Sequence, residues 1–338
     1  MRSRLALVAA PLLLLALLPA SVSAAPPRDP VAASHAKVMA YWTPARIAHA
    51  TWRDFTFDAV RGFQPNARPQ PGGGGSVIGA SWTGGGNIVT GTGRVLFTLS
   101  GTDYICSGSV VKEAKSGQSI VLTAGHCSSE NDGTWATNWM FIPSFDTSPT
   151  YTCANTTYGC WVADALYTDH AFRFAGGFNN TAVQHDWSFA VVSTGGKSGT
   201  AQLDTTVGGA YTLDTSSLSA GTTLTAFGYP AAGKYHGNDL TYCRGPIGQD
   251  ANTGNTTWSM GCDMTGGSSG GPWVQASNTN TYPYSTTTLR SLNSYGYSGI
   301  KNMYGPKFNA NTQAAFNSAD SGNLASGVDV TTAIGSPE

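Results

Sequence analysis

The sequence predicts an all-β main domain, a barrel or a sandwich, preceded by a helical pro-segment. From about residue 86, short β-rich runs alternate with stretches of Gly, Asn, Asp and Ser; the runs are Val95 to Leu99, Ile120 to Thr123, Phe189 to Val192 and Thr222 to Tyr229. Glycine reaches 42 of 338 residues, above the usual ~7%, which suits tight turns between many strands. No period of about twenty to fifty residues recurs, which disfavours a solenoid or propeller.

The N-terminus carries Arg2 and Arg4, the apolar run Leu5 to Ala20 broken by Pro11 and Pro19, and the small-x-small pattern Val22-Ser23-Ala24. This reads as a secretory signal over residues 1–24. The run is shorter than the ~20 residues a membrane-spanning helix needs, so export into the extracellular medium with no membrane anchor is expected.

Residues 25–85 form a separate unit. Ala33 to Ala59 sets His35, Lys37, Arg46, His49 and Arg53 among Ala, Val, Ile and Met, the pattern of a short amphipathic helical segment. Pro65 to Pro71 and Gly72 to Gly75 then make a linker that cannot pack a core and is open to proteolysis. The unit reads as a propeptide, and residues 86–338 as the main domain. In that domain only the tail Asn309 to Gly322, with Ala314, Ala315 and Phe316, has helical character.

Composition removes several classes. Charged residues are 11% of the chain and the net charge is −1, so neither a nucleic-acid partner nor a disordered, charge-rich protein is indicated. The six cysteines, Cys106, Cys127, Cys153, Cys160, Cys243 and Cys262, include no C-x-x-C pair. In an exported chain they favour disulfides over a metal site.

Three stretches carry chemistry. Gly266-Gly267-Ser268-Ser269-Gly270-Gly271-Pro272 sets four glycines around two serines, permitting backbone angles that a Cβ forbids. Such a turn can present a hydroxyl while aiming neighbouring N–H groups at one point, as an oxyanion hole requires. Ile120 to Cys127 is a buried-looking strand ending in a small-residue turn with His126. His185-Asp186-Trp187-Ser188-Phe189 places an acid at the mouth of an apolar strand, where it can orient an imidazole; Asp164 and Asp169 lack that strand.

Chain order discriminates among serine hydrolases. The serine window also matches the α/β-hydrolase elbow G-x-S-x-G, with Ser268 or Ser269 at its centre. That fold needs its histidine after the serine, yet all six histidines precede Ser268. A subtilisin-like order would need an acid before His126, for which Asp103 is the one main-domain candidate in strand-rich surroundings. The order histidine, acid, serine remains.

With Thr123-Ala124-Gly125-His126-Cys127, Asp186 before its strand, and Gly267-Ser268-Ser269-Gly270-Gly271-Pro272, the chain resembles the chymotrypsin/trypsin-like serine endopeptidases over about residues 90–338. Phe227-Gly228-Tyr229-Pro230 and the propeptide's Tyr41-Trp42-Thr43-Pro44 make it most similar to the secreted bacterial glutamyl-endopeptidase branch. The resemblance implies two six-stranded antiparallel β-barrels with the site in the cleft between them. It implies His126, Asp186 and Ser269 as catalytic residues, and the N–H groups of Gly267 and Ser269 as oxyanion donors. It implies no cofactor or metal, protein or peptide as substrate, the chain's own propeptide as partner, and a monomer.

The resemblance also raises specificity. Asp263 stands where trypsin-like members place the aspartate that binds Lys or Arg, but Cys262 precedes it rather than following it, so the pocket wall is built differently. The glutamyl branch prefers acidic residues, for which His236, Thr265, Ser291, Asn293 and Ser294 are the candidates. Ser268 replaces the aspartate that pairs with the new N-terminus in digestive members, so that activation switch is missing. Family resemblance pairs Cys106 with Cys127; proximity pairs Cys153 with Cys160 and Cys243 with Cys262. Two other classes compete: a catalytically silent binding protein on this scaffold, opposed by the complete triad, and a carbohydrate-binding β-sandwich, which would use the nine Trp and fourteen Tyr but leaves both turns unexplained.

Overall fold

A computed structural model describes residues 30–58, 62–65, 77–145 and 152–332. The predicted signal segment and linker residues 66–76 lie outside them. Six strands, β1 (Thr92–Leu99), β2 (Thr102–Val111), β3 (Ser119–Thr123), β4 (Thr137–Pro143), β5 (Trp161–Asp169) and β6 (Ser188–Val192), close into an antiparallel barrel in the order β2-β1-β4-β5-β6-β3, with β3 returning to β2. Val95, Phe97, Val110, Val121, Phe141, Leu166 and Ala190 share its inner face, while Leu122 and Phe189 face outward, Phe189 against Phe316 of the tail helix. The predicted tail helix, Ala310–Ser321, packs on β5 and β6, which explains why β6 reads as continuously apolar rather than alternating. A capping box of Asn309 with Thr312 starts that helix and Gly322, at φ +79°, ends it.

The second half contains β7 (Thr223–Gly228), β8 (Thr241–Pro246), β9 (Thr257–Gly261), β10 (Pro272–Ala276), β11 (Thr287–Leu292), β12 (Tyr295–Tyr297) and β13 (Ile300–Pro306). They lie in two six-stranded sheets, one running Thr212–Leu213, β11, β10, β7, β8, Val77–Ser81, the other Gly248–Gln249, β9, β13, β12, Phe55–Asp58, Gly62–Pro65. Leu224, Ala226, Trp258, Met260, Trp273 and Met303 form a shared core. The disulfide Cys243–Cys262 ties β8 to the segment after β9, and Cys106–Cys127 and Cys153–Cys160 are also formed, so all three expected pairings are present.

The pro-segment differs from the single helical stretch its periodicity predicts. It forms two helices, Pro30–Tyr41 and Pro44–His49. The break is local chemistry: a residue before proline is pushed out of the α region, and Thr43, extended at ψ 157°, accepts the N–H of Arg46 as an N-cap. Val38 and Trp42 are buried against the first barrel, and Trp42 Nε1 donates to the Asn138 carbonyl at 2.6 Å. Beyond His49 the chain is extended. Thr51–Trp52 pairs in parallel with Tyr104–Ile105 of β2, and Phe55–Phe57 pairs in parallel with Tyr295–Tyr297 of β12. No helix among the described residues is long and apolar enough to cross a membrane.

Candidate active site

His126 lies in the one-turn 3-10 helix Gly125–Cys127 that follows β3 directly, and the Cys106–Cys127 disulfide anchors that turn to β2. Asp186 stands two residues before β6, the strand hydrogen-bonded to β3. This pairing brings the two side chains together at the barrel mouth. Asp186 Oδ2 lies 2.8 Å from His126 Nδ1, and Asp186 Oδ1 accepts the His126 backbone N–H at 2.8 Å. The carboxylate therefore fixes both the ring and the backbone that carries it. Ser294 Oγ supplies a further, short hydrogen bond to Asp186 Oδ2. All three residues are fully buried.

Ser269 sits in the glycine turn before β10, which is braced from both halves of the molecule. Ser107 of β2 donates its N–H to the Ser269 carbonyl at 2.7 Å and its hydroxyl to the Gly267 carbonyl at 2.9 Å. The Ser269 carbonyl oxygen lies 3.9 Å from Cys127 Sγ, the residue beside His126. Asn293 Nδ2 donates to the carbonyls of Ser268 and Phe227, and its backbone carbonyl accepts the Gly270 N–H. Two glycines are sterically required: Gly267 has φ +95°, and Gly270 has φ +79° with a Cβ there meeting Thr123 Oγ1 at 2.2 Å.

Ser268 N–H and Oγ both turn inward to the Thr265 carbonyl. Among the described residues, no hydrogen bond uses the N–H of Gly267 or Ser269. The turn thus leaves two donors, two residues apart in the chain, unspent beside a serine hydroxyl, the arrangement that can stabilise an oxyanion.

His126 Nε2 has no hydrogen-bond partner among the described residues and is buried, so its bond to Ser269 Oγ is not made in this state. The imidazole is covered instead. Phe55 meets it edge-on at a centroid distance of 5.3 Å and Phe178 at 5.6 Å, and the two phenyl rings stack on each other at 3.8 Å.

The rival acids are engaged elsewhere: Asp164 pairs with His35 and Asp169 with His185. Asp263 is also taken, since Lys234 Nζ lies 2.9 Å from one oxygen and the Tyr235 hydroxyl donates to the other at 2.6 Å. Burial, and then the hydrogen bond to Asp263, push the Tyr235 hydroxyl well above its ordinary pKa. Asp263 still lines a small pocket with Asp54, Cys262, Met264, Tyr295 and Tyr297, but its charge is already matched. This is not the free pocket aspartate that its sequence position implies.

The candidates for acidic-residue recognition are spent on internal bonds as well. Thr265 exchanges two hydrogen bonds with Ala232, Ser291 Oγ donates to the Pro306 carbonyl, Asn293 braces the serine turn, and Ser294 serves Asp186. His236 lines a different cavity, of about 520 Å³, beside Arg94 and Phe145. Sequence reasoning missed Ser107 as the clamp between the halves and Ser294 as the second donor to Asp186; neither carries a local signal.

No protein-family model matches the chain, and no curated protein does. Among solved structures, the protease Anisep from Arthrobacter nicotinovorans is 33% identical with a TM-score of 0.59, covering 72% of this chain and 99% of its own. The thermostable serine protease AL20 from an extremophilic microorganism is 33% identical with a TM-score of 0.58, covering 70% and 100%. A Glu endopeptidase is similar in fold at 19% identity and a TM-score of 0.50, covering 74% and 98%.

Proposed function

The chain belongs to the trypsin/chymotrypsin-like serine proteases and is a serine-type endopeptidase, and from that premise we propose a secreted enzyme, made as a precursor, whose catalytic residues are His126, Asp186 and Ser269. The observation that carries the assignment is the two-point grip of Asp186 on His126, 2.8 Å to the ring and 2.8 Å to the backbone N–H, beside the glycine turn that holds Ser269.

Ser269 Oγ attacks the carbonyl carbon of the scissile peptide as His126 Nε2 takes its proton, and the carbonyl oxygen becomes an oxyanion facing the N–H groups of Gly267 and Ser269. The C–N bond breaks as His126 returns the proton to the leaving amine, leaving an acyl-enzyme. Water then adds by the same proton route and releases the acid. Asp186 holds Nδ1–H, fixing the tautomer in which Nε2 is the base, and stabilises the imidazolium. Asp186 is itself held by Ser294 and by the His126 N–H.

Residues 1–24 act as the export signal and residues 25–85 as propeptide and linker; three disulfides suit the extracellular medium. The enzyme acts as a monomer on protein or peptide substrates and uses no cofactor. The test is digestion of a randomised peptide library by the mature protein, freed of its propeptide, read by mass spectrometry alongside Ser269→Ala, His126→Ala and Asp186→Asn. Cleavage by the parent that drops at least about 10³-fold in each variant supports the triad; cleavage that survives Ser269→Ala overturns it.

A further inference from the structure

His126, Asp186 and Ser269 have almost no accessible surface in the full chain, although a nucleophile and its base must meet a substrate. Beside Phe178, the cover comes from the chain's own segment that begins at Thr51. Thr51 and Trp52 pair with Tyr104 and Ile105, and the Trp52 ring lies so directly on Gly266 that a Cβ there would meet it at 2.1 Å. Arg53 is buried and donates to the carbonyls of His126 and Ser129 and to Glu130. Asp54 enters the small pocket lined by Cys262, Met264 and Tyr295. Phe55 stacks on Phe178 in the corner that Phe178 makes with the His126 ring, and Phe55 to Phe57 then pair with Tyr295 to Tyr297.

The segment thus uses backbone from both halves and side chains on both sides of the catalytic pair, as a bound peptide would. Its approach is fixed upstream, where His35 pairs with Asp164, Arg46 with Asp103, and Tyr41 donates to Asp103. We infer that residues Thr51 to Asp58 are an intramolecular occupant of the catalytic cleft that blocks substrate, anchored by Phe55 in a subsite built by Phe178 and the His126 ring that takes an aromatic side chain. This rests on the triad assignment above. The subsite is apolar and flat-walled: an aromatic ring gains stacking on Phe178 and an edge contact with the imidazole that an aliphatic side chain cannot reproduce.

The test labels Ser269 in the full chain with a fluorophosphonate. Phe55→Ala should label at least tenfold faster than the parent, and adding the free peptide Thr51–Asp58 should slow that labelling again, competitively with a peptide substrate. The same peptide with Ala in place of Phe55 should need at least tenfold more for the same effect. Where Ser269 labels, an equal rate in parent and Phe55→Ala overturns the inference, as does a peptide without effect on that rate. Hydrogen exchange on the Ser269→Ala full chain reads the occupant independently of activity and of any Phe55 variant: slow exchange at residues 52 and 55–57 is expected, and free-chain exchange there overturns the inference. Absence of labelling in every form, with slow exchange retained, sinks the triad reading and leaves the occupant standing.

Discussion

Phe55 lies edge-on to His126, ring centroids 5.3 Å apart at an interplanar angle of 84°, so a residue from the pro-segment touches the proposed catalytic base directly. The two are held by different parts of the fold, Phe55 by β12 and Phe178, His126 by the turn after β3 and by Asp186. Their contact is made in the full chain and is lost whenever the pro-segment leaves.

Occupancy should depend on pH through Asp54. Burial pushes its carboxyl up to about 6, opposed by the charge of His126 and the hydrogen bond from the Phe55 N–H. His126, and Asp263 across the small pocket, are the titratable groups facing it. Because the buried state favours the protonated acid, occupancy is strongest below the ordinary carboxylate value near 3.8, weakens as pH rises to about 6, and is level above that. Labelling of the full chain, normalised to Phe55→Ala at each pH, should rise up to a hundredfold between about pH 4 and 6.5. Asp54→Asn should flatten the curve; an unchanged curve removes Asp54 from the account.

Ser294→Ala removes one of three hydrogen bonds that Asp186 accepts. A bond to a charged group contributes about 1.5–3 kcal/mol, so kcat/KM should fall about ten- to a hundredfold, carried by kcat. Steady-state kinetics with a melting curve separates this from a folding defect; a change confined to KM would place Ser294 on the substrate instead.

Lys234→Ala leaves the Asp263 carboxylate without its 2.9 Å cation. The variant should gain about tenfold in relative cleavage after Lys and Arg in the peptide library, while Asp263→Asn in the parent should leave that preference as it was. Loss of cleavage after Lys or Arg in Asp263→Asn would show that the aspartate already reads substrate.

Gly270→Ala places a Cβ 2.2 Å from Thr123 Oγ1 and 2.4 Å from the Ser107 carbonyl, at φ +79°. Left-handed strain and overpacking add, so stability should drop by at least about 2 kcal/mol, read in a denaturant melt. A neutral substitution would show that the serine turn is not held as tightly as its hydrogen bonds indicate.

The proposed trio can be picked out in the sequence because each member sits in a short stretch whose backbone demands are written locally: a small-residue turn after β3, an acid ahead of β6, glycines around Ser269. The first barrel was legible for the same reason, its apolar runs matching β1, β3 and β6 closely. What stayed hidden depends on partners distant in sequence. Asp263 reads as a pocket base until Lys234 and Tyr235 are found beside it, and Ser107 reads as an ordinary strand serine until the turn it clamps is folded against it. The pairing of Phe55–Phe57 with Tyr295–Tyr297 joins the two ends of the chain in parallel, and no local spacing encodes such a contact.

Cutting the Pro- and Gly-rich linker severs the chain but not the hydrogen bonds of residues 51–57 or the buried Val38 and Trp42. Before the cut, covalent connection makes binding of the occupant intramolecular, with an effective concentration on the order of millimolar. After it, the same contacts answer to the dilution of the medium. Activity would then emerge with a lag set by escape of the nicked fragment, longer in a crowded suspension than in open liquid, and shortened once free enzyme begins to digest the fragments it meets.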